Sequence, residues 1–326
     1  MTEQEWLACD DPARLLKYIV GHNANLAEGV GGGRPVSDRQ LRLFACACAR
    51  QVWDLLKDDA PCGRCEEFNN QRRYDPTISN PGHKCRECGS PIGTGRVNRS
   101  RKAVEVAERY ADGLATAGDM DDEAIFIGPH PERGLAARCC WDNAASGATE
   151  VCEILSRHGW LTAAEQGGLL RDIVGNPFDP VQVNVHKRPR ENSIWIYDWE
   201  NMLGWNGGAV ERLAREMYDS RDFTRMPILA DALEEAGCDN VDILNHCRGK
   251  SRHHESVTAT HTCPECGSGG HWRSGVGFEH EMIHACADGR WTTWEPGKPY
   301  LKKSWREGGV HHVRGCWVID LILGRA

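Results

Sequence analysis

Between His261 and Trp291 the chain carries two metal-binding patterns in one stretch, HTCPECGSGGHWRSGVGFEHEMIHACADGRW. Cys263-Pro-Glu-Cys266 has the spacing that lets one tight turn aim two thiolates at a single ion. His280-Glu-Met-Ile-His284 has the H-E-x-x-H spacing. On a helix it sets two imidazoles on one face, with Glu281 as general base for the metal-bound water. The first pattern builds a closed structural site and the second a zinc-dependent metallopeptidase.

Three features favour the cysteine reading. Gly275, Gly277 and Gly289 bracket any helix here and leave it without an apolar flank. A third peptidase ligand is missing: Ala287 and Arg290 stand where an extended motif would have Gly and His. A peptidase would also leave Cys263 and Cys266 unused. Read as a strand, Met282, His284 and Cys286 share one face by simple alternation, and RWTTW supplies the next strand. The expected zinc ligands are Cys263, Cys266, His284 and Cys286, with His280 or His271 able to replace His284.

A second set of cysteines lies upstream. Cys62-x2-Cys65 and Cys85-x2-Cys88 together have the spacing of a four-thiolate zinc site. An all-cysteine tetrahedron leaves no open position, so this site is structural. The surrounding segment is too short and polar to bury a core, and metal binding would provide its folding free energy, on the order of 10 kcal/mol. Residues 62–102 hold nine Lys and Arg against four Asp and Glu, whereas the whole chain has a net charge of -8. That overall charge excludes a general nucleic-acid binder. The basic segment still makes nucleic acid a candidate partner through Arg72, Arg73, Arg99 and Arg101, alongside an unknown protein partner.

Other patterns fail on their own chemistry. Pro61-Cys-x-x-Cys65 is half of a deaminase signature, but no H-x-E precedes it. GVGGGRP at 29–35 lacks the Lys and Ser/Thr of a phosphate loop.

The elements that must position these residues are mainly helical. Thr2-x-x-Glu5, Ser37-x-x-Gln40 and Thr162-x-x-Glu165 are capping signals ahead of apolar periodicity. Single helices are expected over GLAARCCWDNAASGATEVCEILSRHG, closed by Gly159, and over the C-terminal HVRGCWVIDLILG. SIWIYDW (193–199) reads as a strand. Cys46, Cys48, Cys139, Cys140 and Cys152 fall within apolar helical patterns and read as small core residues.

The expected fold class is mainly α, a helical frame (1–57, 100–248 and 312–326) with two small zinc-ribbon-like β insertions at 58–99 and 249–311. Both insertions are expected to lack helical periodicity. No apolar run approaches the length of a membrane span, and the acidic N-terminus lacks the pattern of a signal peptide. A cytoplasmic location is expected, with its sixteen cysteines as thiols or metal ligands.

Several stretches carry a resemblance: EWLACDDPARLL, DRQLRLFACACARQVW, RKAVEVAERYADG, GNPFDP, MPILADALEEAGC, ILNHCR and HVRGCWVIDLILG. Together they resemble the landmarks of a paralogue-rich bacterial family of uncharacterised proteins. The resemblance covers most of the helical frame. It implies that 58–99 and 249–311 are added material, and it brings no catalytic residues. The combined expectation is a non-enzymatic zinc-binding interaction or adaptor protein.

Overall fold

The computed structural model describes residues 1–29, 35–56, 60–61, 63–74, 84, 86, 92, 96–124, 131–181, 199–272, 281–286, 291–307 and 310–325. The chain divides into two compact units, Asp10–Leu170 and the combination of Met1–Cys9 with Arg171–Ala326. The described part is mainly α-helical with small antiparallel strand pairs, as its periodicity predicts.

Helix α1 (Glu3–Ala8) starts at the reciprocal capping box of Thr2 and Glu5 and buries Trp6 completely. The unit Asp10–Leu170 then follows in chain order. It contains α2 (Pro12–Ala27), α3 (Asp38–Gln51), β1 (Ala60–Pro61), α4 (Gly63–Tyr74), β2 (Arg96–Val97) and α5 (Arg99–Ala111). After these come α6 (Ala117–Ala124), α7 (Pro131–Cys139), α8 (Ala144–His158) and most of α9 (Ala163–Val174).

Helix α3 is the centre of this unit, with every residue from Leu41 to Ala49 buried. Its run of Ala and Cys keeps the surface low, so α5, α7 and α8 can all pack against it. Cys46, Cys48, Cys139, Cys140 and Cys152 are all buried here, as expected. Burial pushes the Cys140 thiol up to about 12 and also raises Cys46 and Cys48. These three thiols are uncharged packing groups.

The single helix expected across residues 134–159 is two. Helix α7 stops at Cys139, and Asn143 caps α8 by accepting from Ser146 N at 2.8 Å. The carbonyls freed at this corner are taken by buried Arg42, which donates to Cys139 O at 2.9 Å and Trp141 O at 2.8 Å. Gly147 lets the two helices close, because a Cβ there would lie 2.5 Å from Arg138 O. Gly159 does close α8, in the left-handed conformation.

The segment 58–99 also departs from expectation. It contains the twelve-residue helix α4 where irregular chain was expected, and its described strands are only the short pair β1–β2. Glu66, Glu67, Gln71 and Arg72 are good helix formers and favour this helix despite the lack of an apolar stripe.

The other unit continues with α10 (Trp199–Ser220), α11 (Met226–Glu235), α12 (Val241–Cys247), β3 (Lys250–Thr258), β4 (His271–Trp272), β5 (Met282–Ala285), β6 (Trp291–Trp294), β7 (Pro299–Glu307) and α13 (Trp317–Ile322). Non-helical backbone from Trp205 to Gly208 breaks α10. Its second half packs Val210, Ala214, Met217 and Tyr218 against Leu229, Leu233, Ile243, Val318 and Ile319. SIWIYDW lies outside the described residues except for Trp199, which begins α10.

Strands β3 to β7 leave this core as an arm. Strands β3 and β7 pair antiparallel in unbroken register, from Lys250 opposite Glu307 to Thr258 opposite Pro299. At the far end β4, β5 and β6 form a three-stranded antiparallel sheet. Nine paired residues span roughly 27 Å. Arg252 fastens the base of the arm, reaching Glu3 at 2.6 Å, Asp179 at 3.2 Å and Asp242 at 3.6 Å.

The C-terminal helix is shorter than expected. Residues 312–316 contain a turn, with Gly315 at φ 94°, and α13 begins only at Trp317. Among the described residues no helix is long and apolar enough to cross a membrane.

Candidate metal centres

At the arm's tip, Cys263-Pro-Glu-Cys266 forms a tight knuckle. Gly267 adopts a φ of 77° and donates its N–H to Cys263 O at 2.8 Å. Cys263 N in turn donates to Ser268 O at 2.7 Å. Cys286 arrives from the end of β5. Its sulfur lies 3.6 Å from that of Cys263 and 3.8 Å from that of Cys266.

Neighbouring sulfurs around a tetrahedral zinc with bonds of about 2.3 Å sit roughly 3.8 Å apart. Three thiols therefore already stand at ligand spacing. Hydrogen bonds from the hydroxyl and the N–H of Ser268 pull Cys266 down to about 6, while burial pushes Cys286 up to about 12. A bound cation would ionise every sulfur that ligates it.

The expected fourth ligand, His284, does not belong to this converging group. It sits in β5 opposite Thr292, one strand position before Ala285. No fourth donor joins the three sulfurs among the described residues. Thr292 Oγ1 instead lies 3.3 Å from Cys286 Sγ.

The peptidase pattern loses its geometry here. Met282–Ala285 is a strand, so Glu281 and His284 lack the helical spacing that the motif requires. His280 lies outside the described residues. His271, the other expected substitute for His284, is exposed in β4 and is not part of the sulfur group.

Of the upstream four-cysteine set, Cys62, Cys85 and Cys88 lie outside the described residues. Cys65 is buried in the first turn of α4. Among the arginines named as phosphate contacts, Arg72 is exposed and Arg99 half-buried. Arg101 is engaged locally, donating to Trp53 O at 2.9 Å with its guanidinium over the Trp53 ring.

A second group of donors was not foreseen. Asp172 in the last turn of α9, His246 in the last turn of α12, and His312 and Cys316 flanking the turn before α13 bring four potential ligand atoms within 4.8 Å of one another. Asp172 Oδ1 lies 2.9 Å from His312 Nδ1 and 3.2 Å from His246 Nε2. Cys316 Sγ lies 3.2 Å from His246 Nε2 and 3.8 Å from His312 Nδ1. Asp172 Oδ2 accepts from Val313 N at 3.0 Å.

The Asp172 side chain is completely enclosed. Burial pushes its carboxyl up, but the hydrogen bonds from His246 and His312 outweigh that and bring it to about 2. Burial lowers His246, with Asp172 opposing, and burial followed by the Asp172 charge raises Cys316. The Trp317 ring covers His246 at 5.0 Å. Gly175 makes room for it, since a Cβ there would lie 3.3 Å from Trp317 Cγ.

Both groups, the three cysteines and the mixed set, could hold a metal ion. The only local sequence sign of the mixed set is His312-x3-Cys316 within HVRGC. Comparison of the chain with protein families, curated proteins and solved structures gave no match.

Proposed function

We propose that the protein is a non-enzymatic, zinc-binding interaction or adaptor protein whose arm presents a metal-built tip to a partner. The observation that carries this reading is the convergence of Cys263, Cys266 and Cys286 where the described residues form only a small core. The buried apolar cluster of the tip comprises Ala259, Cys263, Met282, Cys286 and Trp294, so two of its five members are the thiols themselves. A sheet of this size cannot offset its chain entropy by apolar burial alone. Thiolates at this spacing suit zinc, and its binding free energy would become folding free energy.

The tip also carries recognition chemistry. Trp272 is 55% exposed on β4, with His261 edge-on to its ring. An exposed aromatic on a rigid strand is a common anchor for protein contacts. Reduced cysteines fit work inside the cell, in a reducing compartment.

The test is zinc content per chain. Cys263→Ser should remove one zinc, and Glu281→Gln should leave zinc and fold unchanged. A metallopeptidase would give the opposite pattern: zinc kept on Cys263→Ser, zinc lost on His284→Ala, and peptide hydrolysis abolished by Glu281→Gln.

A further inference from the structure

We propose that Asp172, His246, His312 and Cys316 form a second, closed zinc centre that staples the base of the arm. It is independent of the tip. Its ligands come from the helical frame, and His246 and His312 lie on either side of the inserted strands.

The geometry separates a metal site from the two alternatives that these residue types allow. In a Cys-His-Asp nucleophile system, the imidazole uses one ring nitrogen toward sulfur and the other toward the carboxylate. Here His246 points the same atom, Nε2, at both Cys316 Sγ and Asp172 Oδ1, at 3.2 Å each. His312 does likewise with Nδ1, at 3.8 Å and 2.9 Å. The donor atoms thus face one point and do not form a relay. A plain hydrogen-bond network explains the contacts to Asp172 but gives no reason for the thiol to approach both imidazole nitrogens that already face the carboxylate.

The spacings match a metal. A tetrahedron with zinc–nitrogen and zinc–oxygen bonds of about 2.0 Å and a zinc–sulfur bond of about 2.3 Å has edges of roughly 3.3 Å between N/O donors and roughly 3.5 Å to sulfur. The four separations given above scatter around those values. Two neutral imidazoles, a carboxylate and a thiolate balance a divalent charge in a buried place. The backbone N–H of Val313 on Asp172 Oδ2 supplies the outer hydrogen bond that orients a ligating carboxylate. A carboxylate with two histidines also suits iron when positions are open. The thiolate and the enclosure of Asp172 close this site, which favours structural zinc.

The experiment uses the full chain. Zinc per chain is measured for the natural sequence, His312→Gln, Asp172→Asn and His312→Cys. His312→Gln and Asp172→Asn should each lose one zinc while the tip keeps its own. His312→Cys should retain the zinc, because a thiolate can replace the imidazole; loaded with cobalt, it should show stronger sulfur-to-metal charge transfer. If the centre is only a hydrogen-bond network, His312→Gln and Asp172→Asn keep all the zinc, and the proposal falls. It also falls if His312→Cys loses zinc as His312→Gln does.

A second measurement needs no change to the four residues. X-ray absorption at the zinc edge of the Cys263→Ser chain should retain imidazole scattering. A shell of sulfur alone, or no bound zinc, overturns the assignment.

Discussion

The tip and the base of the arm solve different problems with similar side chains. At the tip the candidate ligands are local: Cys263 and Cys266 share one turn, and Cys286 directly follows β5. They would supplement the small core that the described tip residues form. At the base, Asp172, His246, His312 and Cys316 come from separate helices and one turn already packed in a full core with Tyr218, Leu229 and Ile319. Metal at the tip would therefore decide whether the sheet folds, whereas metal at the base would decide how rigidly an already folded frame holds the arm.

The largest expected effect sharpens this contrast. Cys263→Ser should unfold β4–β6, because metal-coupled folding of a small module is worth on the order of 10 kcal/mol. Far-ultraviolet circular dichroism should keep its helical signal while the tip becomes sensitive to protease. Next comes the frame's own core. Trp6, fully buried in α1, should cost about 3–5 kcal/mol as Trp6→Ala, measured by denaturant unfolding, with zinc content unchanged.

Smaller is the effect at the arm's base. Arg252→Ala removes a largely buried guanidinium from Glu3, Asp179 and Asp242. Because those carboxylates are partly exposed, the loss should be about 2 kcal/mol, below the range for a fully buried pair. It should appear as faster hydrogen exchange at the start of β3 and the end of β7.

The smallest effect is electrostatic and belongs to the frame. Hydrogen bonds from Thr116 N–H and hydroxyl hold Asp119 below its usual carboxylate range. A lowered folded-state value means the contribution is present above the ordinary carboxylate range and is lost as pH falls through the folded value. Asp119→Asn should flatten that acid limb by slightly lowering thermal stability at neutral pH, while stability below the folded value stays nearly unaffected.

The sequence made the helical frame legible through caps. Thr2 with Glu5 and Ser37 with Gln40 form reciprocal boxes where the spacing predicts them. It did not show that residues 134–159 break in two, because the carbonyls at the break are satisfied by Arg42, which donates to them from about a hundred positions away in the chain. The same distinction governs the metal centres. Cys263-x2-Cys266 is visible because a single turn makes the chelate. His284 looked like the next ligand because alternation sets it beside Cys286, yet the three sulfurs converge without it. The mixed set at the base was hidden because its donors are far apart in sequence, and only His312-x3-Cys316 hints at a shared site. Tertiary packing brings the four together, and no spacing rule reports it.

The most direct test of the central claim, that metal builds the tip, is hydrogen exchange on the zinc-loaded chain before and after chelation. Amides of Met282–Ala285 and Trp291–Trp294 should lose their protection when zinc is removed, while those of α11 keep theirs. Equal protection of the tip strands with and without zinc would contradict the account.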